Sequence, residues 1–434
     1  MPKVLIITYY WPPSGGSGVQ RWLKFAKYLP QFGWEPIIYT PENPDFALKD
    51  KTLLKDVSAK TTVLRTRIWE PYQLYNRLSG NKQEKTNEIY APKRKGSNLL
   101  QKIAMTIRGN LLIPDPRCFW IKPSIKFLVN YLNDNPVDAI ISTGPPHSMH
   151  LIGLGLHKKT SIPWIADFRD PWTNIDFYKD LHLTWLADKI HRHKEQQIIS
   201  EANCVVSVTP SWCGEFAAKH PKKIALVHNG YDEADVAETV GSLDSEFTLV
   251  HIGSINAARN PKVLWQALSE LLPNYPELRE KLKIKFVGNI EEVVIEDIDK
   301  YDLNDYVEKI GYLSHQEAIA FQQKAQLLLL LINNTPNANG ILTGKLYEYM
   351  ASNRPTLAIG PIGSDIAKLL NETGAGTIVG FEDVEGMKAA LLSFFEYYQN
   401  GKLNSSASGY EQYSRRAQCG VLTEILTEIT RNNK

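Results

Sequence analysis

The chain is poor in cysteine, nearly free of net charge, and without a long apolar run. Its four cysteines, Cys118, Cys204, Cys213 and Cys419, stand far apart and share no metal-ligand spacing among 434 residues. That argues against a zinc site or a disulfide framework and fits a reducing compartment. Lysine and arginine total 49 against 47 acids, a net charge of +2. A nucleic-acid binder would need a far more basic face to displace counterions, so that class is set aside. The longest greasy run, residues 327–332, is well short of the roughly 20 residues that span a bilayer. Residues 4–7 after Lys3 are too short for a secretion signal and lead into a Gly-rich loop. A cytoplasmic protein is expected.

Apolar residues at 43% and charged residues at 22% describe an ordinary globular chain, long enough for two domains. The first forty residues read as strand (4–8), Gly-rich loop, helix with Trp22, Phe25, Ala26 and Leu29 at helical spacing, and a second strand (36–39). Gly33 is placed to end the helix in the left-handed conformation. Residues 64–136 interrupt this rhythm with aromatic and basic residues and are read as an insertion. Strands resume at 138–142, 164–168, 204–208 and 224–227, with a polar-faced helix over 184–201. A second series follows, with strands at 247–252, 284–287, 327–332, 356–359 and 377–379. Alternation of this kind predicts two doubly wound α/β domains, 1–228 and 229–411, with ligands in a cleft at the carboxyl ends of the strands. A last helix over 412–431 is expected to pack back on the first domain.

Loops after strands therefore carry the candidate residues. Gly15 and Gly16 allow a backbone to approach an anion beside a helix N-terminus, although Arg21 replaces the last glycine of a dinucleotide fingerprint. Asp167, Arg169, Asp170 and Trp172 follow an apolar strand. They read either as a structural Arg–Asp pair or as an acceptor-side group, with an aspartate orienting a hydroxyl and Trp172 facing a ring. His147 and His150 open the preceding helix as potential proton acceptors. In the segment 344–358, Gly344 and Lys345 would meet a phosphate at a helix start, and Glu348 one turn on could hold a ribose. The alternative is a helical Lys345–Glu348 ion pair.

The segment Gly344-Lys345-Leu346-Tyr347-Glu348-Tyr349 with Arg354-Pro355 resembles the nucleotide-sugar motif of family 4 retaining glycosyltransferases, which have the GT-B fold. The resemblance implies that Glu348 binds the nucleotide ribose. The family's preceding glutamate is replaced by Gly340. His251-Ile252-Gly253-Ser254 followed by Arg259-Asn260-Pro261 resembles the family's diphosphate loop, with Ser254 and Asn260 where an arginine and a lysine are common. Arg259 and Lys345 are therefore expected to act in their place. The implied reaction moves a sugar from a nucleoside-diphosphate sugar to a glycan or lipid-linked acceptor hydroxyl, with retention and with no metal or other cofactor. A sugar-nucleotide epimerase and a non-catalytic nucleotide-sugar-binding protein are the alternatives.

Asp297-Ile298-Asp299 has the spacing of a metal-binding pair but lies in an acidic stretch that reads as a solvated helix face. Residues 93–126 hold eight basic residues and one acid, Asp115, for a net charge of +7. Leu99, Leu100, Ile103, Ile107 and Leu111 recur there at helical spacing. This reads either as a basic amphipathic helix touching an anionic membrane or as a helix packed on its own domain.

Overall fold

The computed structural model describes residues 1–46, 48–71, 106–236 and 242–431. The chain forms two compact units, Met1–His228 with Gln418–Lys434, and Asn229–Ala417.

The first unit is built on a parallel sheet in the order β3-β2-β1-β4-β5-β6-β7. The strands are β1 (Lys3–Ile7), β2 (Glu35–Pro41), β3 (Thr62–Thr66), β4 (Ala139–Gly144), β5 (Trp164–Phe168), β6 (Cys204–Ser207) and β7 (Ile224–Leu226). Helix Ser17–Tyr28 ends in a 3-10 turn, and Gly33 closes that turn at φ 81°. Its apolar face, with Trp22 and Phe25, packs on Val4 and Ile6 of β1. Helix Arg415–Arg431 adds Cys419, Leu422, Leu426 and Ile429 to the same core. Burial of each such aliphatic side chain contributes about 1.5–3 kcal/mol before entropy is counted.

The reading of residues 64–136 as an insertion is corrected at both ends. Thr62–Thr66 is a sheet strand paired with β2. Its half-exposed edge position explains the weak apolar signal. Helix Ile121–Asp134, with Ser124, Leu128 and Leu132 buried, is the crossover into β4. Residues 72–105, including the Leu99–Ile103 part of the amphipathic pattern, lie outside the described residues.

The second unit has a parallel sheet in the order β10-β9-β8-β11-β12-β13. Its strands are β8 (Phe247–Ile252), β9 (Leu282–Val287), β10 (Val307–Gly311), β11 (Leu327–Leu331), β12 (Thr356–Ile359) and β13 (Gly376–Val379). The edge strand β10 was not anticipated, because Glu308 and Lys309 interrupt its apolar pattern. The central strands are wholly buried, as the continuous Leu327–Leu331 run requires. In each sheet the winding reverses between two central strands, β1 and β4 in one and β8 and β11 in the other. Loops on either side of such a point run apart and leave a crevice at the strands' carboxyl ends.

Candidate functional site

In the second unit the loops flanking the β8/β11 reversal converge on Lys345. Gly253 follows β8 at φ +125°, and a Cβ there would stand 2.5 Å from the Lys345 Nζ. The backbone conformation favours glycine there, and the end of the Lys345 side chain lies over it. The 3-10 turn Ala257–Arg259 is capped by Asn256 and brings Arg259 back toward Ser254, with Nη1 donating to the Ser254 carbonyl at 3.4 Å. The Asn334 amide donates to the Ala258 carbonyl at 2.7 Å and fixes this turn to the loop after β11. Helix Gly344–Ala351 is held to the end of β8 by Tyr349, whose hydroxyl accepts from the Ile252 amide at 3.1 Å. At the helix start Thr343 makes no side-chain cap, and its buried Oγ1 has no partner.

Lys345 is half-buried, and its ammonium forms no ion pair or hydrogen bond among the described residues. Burial first, then the neighbouring Arg259, lower its pKa to about 8, while Glu348 opposes the shift. Glu348 is equally unpartnered, so the helical ion pair is not formed. It lines a small cavity with Tyr231, Asp235, His315, Gln322 and Ser352. There His315 and Asp235 are bonded at 3.2 Å. Burial alone would lower the His315 pKa, but the Asp235 bond and the Glu348 charge outweigh it and raise the value. Two adjacent cations at a helix N-terminus form a receptor for an anion. A free carboxylate one turn away can accept from hydroxyls.

Asn260, which stands where the resembled loop carries a lysine, is fully used within the unit. It donates to Asp297 at 2.6 Å and accepts from the Trp265 indole at 2.9 Å. Asp299 accepts from Asn304. Gly340 closes a short 3-10 turn and is buried. His251, which opens the resembled loop but has no role in the sequence reading, is a buried polar residue in the otherwise apolar β8. That interruption of the pattern was the available signal.

In the first unit, several expected site residues are structural. The Gly15 amide donates to the Leu48 carbonyl at 3.0 Å, so it is not available to a phosphate. Gly16, at φ 84°, caps the following helix. Asp167 is buried in an ion pair with Arg21 at 2.8 Å and also accepts from Trp22 and Thr143. The pair forms with Arg21 of helix Ser17–Tyr28 rather than with Arg169, and it occupies Asp167, which corrects the acceptor role for that residue. Trp172 is buried, stacks on His147 at 4.9 Å and donates to His191 at 3.0 Å, so neither face is offered to a sugar. His147 and His150 are buried, and desolvation holds both well below the usual imidazole range, His150 at about 3. Arg169 donates to the carbonyls of Gly18 and Pro145 and so ties the loops after β5 and β4 to the first turn of helix Ser17–Tyr28. Asp170 alone keeps a half-buried carboxylate with no partner among the described residues. Burial raises its pKa, Arg169 opposes this, and Asp176 and Asp167 add to the rise.

Residues 234–410 match the sequence model of the family described as glycosyl transferases group 1. No curated protein matches the chain significantly. Among solved structures the chain is similar to sucrose-phosphate synthase from Thermosynechococcus elongatus, with 13% identity, full coverage of both chains and a TM-score of 0.65. It is also similar to S. aureus TarM in complex with fondaparinux, alpha-GlcNAc-glycerol and UDP. That likeness has 12% identity, 98% and 100% coverage, and a TM-score of 0.59. A putative UDP-N-acetylglucosamine 2-epimerase from Listeria monocytogenes is similar at 12% identity, 98% and 96% coverage, and a TM-score of 0.55. The two Rossmann-like units are of the GT-B type, and together with the matched domain they support a glycosyltransferase.

Proposed function

We propose that the chain transfers a sugar from a nucleoside-diphosphate sugar to an acceptor hydroxyl, with the diphosphate held by protein cations rather than by a metal. The observation that carries this reading is the state of helix Gly344–Ala351. Lys345 and Glu348 lie at the strand ends of the second unit, and neither is satisfied by the protein. Breaking the bond from the anomeric carbon to the β-phosphate oxygen puts charge on the leaving diphosphate. Lys345 and Arg259 stabilise that charge, and Thr343 adds a hydroxyl donor. Glu348 accepts from the ribose hydroxyls and sets the register of the nucleotide. Within the first unit, Asp170 is the candidate residue for holding an acceptor hydroxyl. Its proton passes to the departing diphosphate on the same face, which gives retention.

The acceptor we propose is a glycan or a lipid-linked glycan, in synthesis of a surface polysaccharide or glycolipid, and one surface of the first unit suits work at a membrane face. Leu111 and Trp185 are 74% and 76% exposed, Ile107 and Leu186 are exposed beside them, and Lys189 lies over the Trp185 ring. Asn110 ties the two segments together through His182 and Thr184. This surface suits peripheral contact with an anionic bilayer. Among the described residues no helix is long and apolar enough to cross a membrane.

A thermal-shift screen of nucleoside diphosphates and their sugars tests the reading. Stabilisation by one nucleotide-sugar series, followed by transfer that needs an acceptor, is the expected result. Turnover of the donor to an isomer without any acceptor would assign the chain to the epimerase reading instead.

A further inference from the structure

We infer that His251 is a positioning residue for Lys345: an uncharged acceptor that orients the ammonium without neutralising it. The inference rests on the reading of Lys345 as a diphosphate ligand.

His251 is buried on β8, two residues before Gly253. Its Nδ1 lies 2.8 Å from the Leu329 carbonyl oxygen on the adjacent strand β11. A carbonyl can only accept, so Nδ1 carries the hydrogen. Burial, with Lys345 and Arg259 acting in the same direction, lowers the pKa to about 3 and keeps the ring neutral. The tautomer is thereby fixed, and Nε2 presents a bare lone pair. That atom is buried and has no hydrogen-bond partner. It points toward the place a Gly253 Cβ would occupy, at 3.9 Å, the same place that the Lys345 Nζ and Cε approach at 2.5 and 2.8 Å.

A bare lone pair at an anion site would repel a phosphate oxygen, so its partner must be a donor. Lys345, whose Nζ approaches the same place without bonding Nε2 in the ligand-free structure, is the donor we assign to it. The other charged groups acting on the lysine are Arg259, which repels it, and Glu348 on its own helix. A carboxylate in the position of His251 would hold the ammonium equally well but would cancel the charge the diphosphate needs. A neutral imidazole, locked in one tautomer by a main-chain carbonyl, orients the ammonium and leaves its charge intact. It also stabilises the protonated form of a lysine that burial and Arg259 push toward neutrality.

The test is the Lys345 pKa in the ligand-free protein, read by competitive acylation and mass spectrometry, together with calorimetric binding of inorganic pyrophosphate and UDP. Loss of a hydrogen bond to a charged group costs roughly tenfold. We expect His251→Phe to lower the Lys345 pKa by about one unit and weaken both probes by about that factor. His251→Gln, which retains an acceptor, stays near wild type. If His251→Phe does not fold, His251→Leu takes its place, with a near-ultraviolet dichroism spectrum as the control. An apolar variant with the wild-type Lys345 pKa, or a glutamine variant as impaired as the apolar one, overturns the inference. Lys345→Ala separates the two levels. If that variant binds both probes normally, the diphosphate reading fails. If it binds weakly while His251→Phe leaves the Lys345 pKa unmoved, only the role of His251 fails.

Discussion

Lys345 and Glu348 stand one turn apart on a single helix and make no ion pair, although both are half-buried. A lysine and a glutamate at this spacing ordinarily gain a few tenths of a kcal/mol by meeting. Here each is left to an outside partner, and the two lie at opposite ends of what a nucleoside diphosphate would present.

The proposed function gives Glu348 a role in holding the nucleoside rather than in the fold. Glu348→Gln is expected to weaken a nucleoside diphosphate roughly tenfold, the worth of hydrogen bonds to a charged group. Its effect on inorganic pyrophosphate, which has no ribose, should be small, and Tm should stay near wild type. Calorimetry with the two probes checks this. A fall in Tm with unchanged nucleotide affinity would make Glu348 a structural residue.

The proposed function has Arg259 and Lys345 acting on charge that develops during the reaction. Arg259→Ala and Lys345→Ala are each expected to lower turnover by about 10²–10³, with a smaller loss of donor affinity. Steady-state kinetics of the two variants provide the check. Near-normal turnover in both would place the diphosphate elsewhere.

If Lys345 holds the donor diphosphate as proposed, its pKa, lowered to about 8 by burial and Arg259, sets a pH limit on donor binding. The charged form is the binding form, so affinity for a nucleoside diphosphate is present below about pH 8 and falls as pH rises through that value. Titrations between pH 6.5 and pH 9.5, the interval about one and a half units either side, show the fall in wild type. Lys345→Met should flatten it.

The Arg21–Asp167 pair belongs to stability. Both side chains are buried, and Asp167 also accepts from Trp22 and Thr143. Arg21→Ala leaves a buried carboxylate without its counterion and is expected to cost about 3–5 kcal/mol. Chemical denaturation measures this, while the second unit's pyrophosphate affinity should stay at its wild-type value.

Two wound sheets were legible in the sequence because their central strands are buried on both faces and read as unbroken apolar runs. The edges were not. β3 and β10 face solvent, so Arg65, Glu308 and Lys309 sit within them and mask the pattern. Helix Gly344–Ala351 was legible because its residues form a local motif whose spacing fixes their relative positions. The first unit's site was misjudged for a physical reason. A polar residue after a strand can point into a crevice or back into the core, and local sequence does not distinguish the two. His150, Asp167 and Trp172 turn inward because Ser142, Arg21 and His147 wait for them there. Asp170, three residues beyond Asp167, does not.

The central claim is that the second unit binds a nucleoside diphosphate at the β8 and β11 strand ends without a metal. Hydrogen exchange of the whole chain, with and without saturating UDP, GDP or ADP and with a chelator present throughout, tests it most directly. The account predicts that at least one nucleotide protects residues 253–259 and the Gly344–Ala351 helix to the same extent with the chelator as without it. Protection confined to other segments, or protection that appears only when a divalent cation is restored, would contradict it.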